Sequence, residues 1–139
     1  MNPAVVDTNV VLAGLLTGNP TAPTVRLLDA MLAGRFTFVV SLALLSEYEQ
    51  VMARPALARV HGLNAEEQER VLAALARHAV LLEPAPSAHQ APDPGDQHLW
   101  NLLDARPDLV LVTGDKRLFN AGWPADRVLS PAQFAAGLT

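Results

Sequence analysis

Ala4-Val5-Val6-Asp7-Thr8-Asn9 and Leu109-Val110-Leu111-Val112-Thr113-Gly114-Asp115 share one design. Each is a run of aliphatic residues that stops abruptly at small polar residues and an aspartate. An unbroken apolar run without alternation reads as a strand of a parallel sheet buried on both faces. In open α/β sheets the ligand crevice lies beyond the carboxyl ends of the strands. Two such strands, each ending in Asp, therefore bring two carboxylates to one crevice. Like charges repel there, and a bound cation is the group that neutralises them.

Working outward, the segments between these strands alternate in the same manner. Thr8 to Leu16 reads as a helix broken by Gly18-Asn19-Pro20. Thr24 is placed to cap a helix over Val25 to Ala33, with Val25, Leu28 and Leu32 on one face and Gly34 as its stop. Phe36 to Val40 is a second strand, and Ser41 caps a helix to about Arg54. Pro55 opens a helical turn that Gly62 ends. Asn64 with Glu67 is a capping box for a helix to about His78, and Val80 to Glu83 is a short strand. Pro84 to Gly95 is a proline-rich surface loop. Asp93 and Pro94 open a helix through Leu99, Leu102 and Leu103, and Asp115 caps a short helix from Lys116 to Asn120. Val128-Leu129 is an edge strand, and Ser130 with Gln133 is a second capping box. Strands alternating with helices predict a three-layer α/β/α fold with a central parallel sheet of four to five strands.

The chain has 139 residues, which suits one domain over positions 1–139. A chain of this size buries about 70% of the surface that it exposes when unfolded. Hydrophobic residues make up 50% and charged residues 17%, an ordinary globular balance. No apolar stretch approaches the roughly 20 residues of a membrane span, and the first residues do not read as a signal peptide. The absence of cysteine excludes disulfides, thiolate catalysis and cysteine zinc sites, and it is compatible with a cytoplasmic protein. A net charge of −4 means that a nucleic-acid ligand has to be met by a local patch or by bound cations.

Four acids stand out: Asp7, Glu47, Asp96 and Asp115. Considered alone, Asp7 and Asp115 are helix caps, because an Asp between strand and helix satisfies orphan N–H groups. Asp96, soon after Asp93, suits the positive end of a helix dipole. Glu47 differs. Leu44, Leu45, Tyr48, Val51 and Met52 form an apolar stripe, and Glu47 lies about 40° beyond its edge at the helical pitch. A carboxylate there reaches either solvent or the crevice at the end of the sheet.

Taken together, these phrases resemble the PIN-domain family of metal-dependent ribonucleases, which includes the toxins of many toxin–antitoxin pairs. The resemblance rests on Val5-Val6-Asp7-Thr8-Asn9-Val10, on Ser46-Glu47-Tyr48 with Val51 and Arg54-Pro55, on Asp93-Pro94-Gly95-Asp96, and on Leu111-Val112-Thr113-Gly114-Asp115-Lys116-Arg117-Leu118. It implies that Asp7, Glu47, Asp96 and Asp115 are both catalytic residues and ligands of Mg²⁺ or Mn²⁺. Asn9 and Thr113 would support them, with Asp93 as an extra acid. It also implies an RNA substrate, a small antitoxin partner and a homodimer. The apolar helices bearing Leu27, Leu28, Met31, Leu72 and Leu75 offer a contact face for such partners. The chain departs from the family pattern after Asp96, where the bulky Trp100 and Asp104-Ala105-Arg106-Pro107-Asp108 precede the last long strand.

Phosphodiester hydrolysis needs an activated water and a counter-charge for the transition state, and a carboxylate-held divalent ion supplies both. Oxygen ligands suit Mg²⁺ or Mn²⁺ better than zinc. His61, His78, His89 and His98 show no i, i+4 ligand pair, and His98 reads as a helix-surface residue. Lys116, Arg117, Arg54 and Arg59 are candidate phosphate contacts, with solvated helix surface as the equal alternative. A haloacid-dehalogenase-like phosphatase would want a second Asp where Asn9 stands. A phospho-receiver module would pair its acids after the first strand, where only Asp7 is found. The remaining rival is a PIN-like module that binds a partner without catalysis.

Overall fold

The computed structural model describes residues 1–138. Its strands are β1 (Ala4–Val6), β2 (Val39–Val40), β3 (Val80–Leu81), β4 (Val110–Val112) and β5 (Val128–Leu129). They form a parallel sheet in the order β1-β4-β5 and a parallel pair β2-β3. A parallel bridge between Ala4 and Phe38 sets the pair beside β1. The helices are α1 (Thr8–Leu16), α2 (Pro23–Leu32), α3 (Leu42–Met52), α4 (Pro55–His61), α5 (Ala65–His78), α6 (Gln97–Ala105), α7 (Lys116–Phe119) and α8 (Pro131–Ala135). Helix α6 packs on β1 and β4, while α1, α2, α3 and α5 pack on one another. The mixed α/β fold with a helix-flanked parallel sheet is the architecture that the alternation of segments predicts.

Local chemistry explains most boundaries. The β1 and β4 residues are all buried, as unbroken Val and Leu runs require. Ser41 Oγ accepts from the Leu44 N–H at 3.1 Å and starts α3. Both capping boxes form, Asn64 with Glu67 and Ser130 with Gln133. Gly62 ends α4 in the left-handed region at φ 74°, where a side chain would be strained. Trp100 enters the core. Its ring centroid lies 6.0 Å from that of Trp123, and Trp123 in turn stacks on His89 at 4.0 Å. These rings tie the proline-rich loop to the body of the protein.

Three expectations change. Helix α2 starts at Pro23 and not behind a Thr24 cap, because the fixed φ of proline suits the first helical position. Strand β2 is confined to Val39–Val40, with Phe36 buried ahead of it. The third change concerns the proposed contact face. Leu27, Leu28, Met31 and Leu75 are all buried in the core, and Leu72 is half-buried against it. They are buried because α2 lies between α1, α5 and α8. That apolar stripe is interior packing and offers no partner surface.

Gly14 permits a close approach of α1 to α2. A Cβ there would stand 2.8 Å from the Thr24 carbonyl oxygen and 3.0 Å from Leu28 Cβ. Overpacking of this kind costs about 1–3 kcal/mol, more than the roughly 1 kcal/mol of helix propensity that Ala adds over Gly. Gly14→Ala is therefore expected to lower the melting temperature. Gly18→Ala, with nothing within 4 Å of its Cβ, is expected to leave it level or raise it. Paired thermal denaturation checks the sign of each.

Candidate functional site

The parallel register fixes the first part of the site. Val6 lies opposite Val112, and the ladder continues one step as the Asp7 N–H donates to the Val112 carbonyl at 2.9 Å. Asp7 and Thr113 thus leave the sheet side by side, at the carboxyl ends of β1 and β4. Asp7 occupies the cap position of α1, yet its carboxylate makes no capping bond. Instead Asp7 Oδ2 accepts from the Thr113 hydroxyl at 2.8 Å. The same Thr113 oxygen accepts from the Asp115 N–H at 3.0 Å, so one fully buried hydroxyl couples the two strand ends. Burial pushes the Asp7 carboxyl above its ordinary value. The Thr113 bond opposes that shift, and the charges of Glu47 and Asp115 add to it.

Helix α3 supplies Glu47. The buried Tyr48 hydroxyl donates to the Val6 carbonyl and braces the helix against the end of β1. Burial, and then the charges of Asp7 and Glu47, push the Tyr48 phenol well above its ordinary value, so it remains a neutral donor. One residue earlier, both Glu47 oxygens are engaged. Oε1 accepts from the Thr8 hydroxyl, and Oε2 lies 3.2 Å from His98 Nε2.

The third group surrounds the start of α6. Asp93 caps the preceding 3-10 turn by accepting from the Gly95 N–H at 2.8 Å. Asp96 is half-buried and makes no side-chain capping bond. Burial raises its pKa first, the charges of Asp7, Asp93 and Asp115 follow, and Arg117 opposes them. Asp115 does cap its helix, accepting from the Arg117 N–H at 3.0 Å. The Arg117 guanidinium also forks onto Asp115, with Nη2 2.7 Å from Oδ2 and Nε 3.2 Å from Oδ1. Its Nη1 lies 3.6 Å from Asp93 Oδ2. The guanidinium holds the Asp115 carboxyl below the usual carboxylate range.

Asp7, Glu47, Asp96 and Asp115 are thus near enough for Asp7 to feel or impose charge on each of the others. Thr113 and Asp93 join them. Asn9, Lys116, Arg54 and Arg59 are exposed, and the three basic residues form no ion pair among the described residues. Sequence reasoning missed Thr8 and took His98 for helix surface. Both flank predicted acids, Thr8 next to Asp7 and His98 two places after Asp96, and that adjacency was the available signal. Among the described residues, no three acidic or imidazole side chains are gathered tightly enough to hold a metal ion as they stand. The donor set still fits a hard divalent cation: carboxylate oxygens, no thiolate, and two acids whose pKa values are raised by burial first and by neighbouring carboxylates next.

The family model of the PIN domain matches residues 3–117. The chain belongs to the PIN-domain family. The matched span runs from the residue before β1 into α7 and includes all four acids. No curated protein matches the chain. PIN domains are generally nucleases and typically use divalent metals such as Mg²⁺.

A testable consequence concerns Asp7. A carboxyl whose folded pKa lies above its unfolded value loses its proton first in the unfolded chain. Stability is therefore lost as pH rises from the ordinary carboxylate value through the raised one, and it stays lost at neutral pH. Asn keeps an acceptor for Thr113 without the charge. In EDTA at neutral pH, Asp7→Asn is expected to melt at or above the parent temperature, with the difference shrinking at acid pH. A clearly lower melting temperature would mean that the carboxylate is held by stabilising bonds alone.

Proposed function

We propose that this PIN domain is a divalent-metal-dependent endoribonuclease that hydrolyses RNA phosphodiester bonds. The observation that carries the reading is the buried Asp7. It sits at a helix N-terminus without capping it, accepts from Thr113 instead, and shares its surroundings with three further acids. A carboxylate committed to capping would need no such company. Asp7, Glu47, Asp96 and Asp115 would hold Mg²⁺ or Mn²⁺, with Asp93, Thr113 and Asn9 in support. When bound, the cation supplies counter-charge for the phosphate and makes a water molecule more acidic.

The chain's own groups do the rest. Thr113 orients Asp7, Thr8 and His98 orient Glu47, and the half-buried Asp96 offers a carboxylate with no cap to serve. Arg117 is the nearest cation to the site, and when released from Asp115 its planar fork matches a phosphate. Lys116, Arg54 and Arg59 are exposed charges available to more distant phosphates. We further propose that residues 1–139 act as one cytoplasmic PIN-like domain, the toxin of a toxin–antitoxin pair, with a small antitoxin partner and self-association as a homodimer. Family membership supports this part of the reading. No helix among the described residues is long and apolar enough to cross a membrane.

Purified protein is expected to cleave single-stranded RNA in Mg²⁺ or Mn²⁺, to leave 5′-phosphate ends, and to stop in EDTA until Mn²⁺ is restored. Cleavage that persists in EDTA, or that ends in a 2′,3′-cyclic phosphate, would contradict the reading. A protein that binds RNA or a partner but never cleaves would favour the non-catalytic module.

Arg117 generates a second prediction. Its fork occupies both oxygens of Asp115, so a cation that uses Asp115 has to displace it. Exposed ion pairs are individually weak, so Arg117→Gln is expected to lower the Mn²⁺ concentration for half-maximal thermal stabilisation by a few-fold at most. Lys116→Gln, which removes an exposed lysine in no ion pair among the described residues, is expected to shift it less. Equal shifts would mean that only net charge matters.

A further inference from the structure

We propose that His98 is a positioning residue for Glu47, an inference that rests on the reading of Glu47 as part of a metal-binding acidic site. A glutamate on the flank of a helix ordinarily keeps its head in water. The Glu47 side chain is 36% exposed, yet each of its oxygens is taken by a separate element. The Thr8 hydroxyl, from the first turn of α1, donates to Oε1. His98 Nε2, from the first turn of α6, faces Oε2 at 3.2 Å. These partners lie 39 and 51 residues away in sequence, so the orientation of this carboxylate is set by tertiary packing. Two donors on opposite oxygens leave the head group little freedom to rotate. Each oxygen keeps a further lone pair for a ligand.

Among the described residues, the imidazole has one polar partner, Glu47. The His98 side chain is 19% exposed, and among the described residues its Nδ1 is buried with no hydrogen-bond partner. A carboxylate only accepts, so the proton of this contact resides on Nε2. An unsatisfied buried polar atom is destabilising. Packing alone gives no reason to bury an imidazole in this way, whereas holding Glu47 does. Asp96 immediately precedes α6 and His98 lies in its first turn, so the start of this helix carries one acid of the site and orients another. Glu47 and Asp96 are thereby held relative to each other by a single short helical segment.

Three variants test this, with Mn²⁺-induced thermal stabilisation as the first readout and RNA cleavage as the second. His98→Leu removes the donor while filling the space. His98→Gln restores an N–H donor. Glu47→Gln removes the charge being positioned. Loss of a residue that orients a metal ligand typically costs 10–100-fold in affinity or activity. His98→Leu is expected to raise the half-maximal Mn²⁺ concentration about 10-fold and to lower kcat while KM for RNA stays level. Its melting temperature in EDTA should be equal to or above the parent's, since the orphaned Nδ1 is gone. His98→Gln should recover most of the Mn²⁺ response. In a Glu47→Gln background His98→Leu should add nothing, because contacting residues couple.

If Glu47→Gln weakens the Mn²⁺ response but His98→Leu does not, the positioning role is overturned and the acidic site stands. If His98→Leu lowers stability in EDTA and His98→Gln fails to restore Mn²⁺ binding, His98 is a packing residue and the proposal fails. If Glu47→Gln itself leaves the Mn²⁺ response unchanged, the reading of the site fails and this inference falls with it.

Discussion

Val6 pairs with Val112 across the parallel ladder between β1 and β4, and the rest of the acidic edge depends on that register. One residue further on, it sets Asp7 beside Thr113, residues 106 positions apart in sequence. A slip of one residue would send every side chain of the strand to the opposite face. It would also separate the Asp7 carboxylate from the hydroxyl that holds it. The register is protected by burial on both sides, since Ala4, Val5, Val6 and Val110 to Val112 all lie in the core. The interior that stabilises the sheet therefore also fixes the spacing of its polar edge.

From that edge the site grows through neighbours that each do two jobs. Tyr48 is a core residue whose hydroxyl reaches the Val6 carbonyl, so the packing of α3 aims Glu47. Thr113 ends β4 and links Asp7 to Asp115. Arg127 donates to the carbonyls of Leu103, Arg106 and Leu109 at 2.7, 2.7 and 2.9 Å. Those bonds staple the Asp104–Asp108 segment between α6 and β4. The acids repel one another, and among the described residues Arg117 is the only guanidinium forked onto one of them. The resulting edge is short of positive charge, which is the electrostatic condition that a divalent cation relieves.

The backbone was largely legible in the sequence because its signals are local. The unbroken runs at β1 and β4, the capping boxes at Asn64 and Ser130, and Gly62 in its left-handed turn each act within a few residues. The site was legible in its residue types and less so in its bonds. Asp7 and Asp115 look alike in sequence, each an Asp between strand and helix, yet Asp115 caps and Asp7 does not. A bond to a residue on another strand makes the difference, and no local pattern contains it. The same limit hid the Thr8 and His98 contacts to Glu47. It also made Leu27, Leu28, Met31 and Leu75 look like a free apolar face. Helical periodicity says that a face is apolar without saying which neighbour covers it.

The central claim is that these carboxylates form one metal site, and direct location of the metal tests it most sharply. Crystals grown with Mn²⁺ and measured near the manganese absorption edge give an anomalous difference map that marks the ion independently of any assumption about its ligands. The account predicts a peak within coordinating distance of Asp7 and of at least one of Glu47, Asp96 and Asp115, and its loss in Asp7→Asn. A map with no peak at this edge of the sheet at saturating Mn²⁺, or with its peaks elsewhere on the protein, would contradict it.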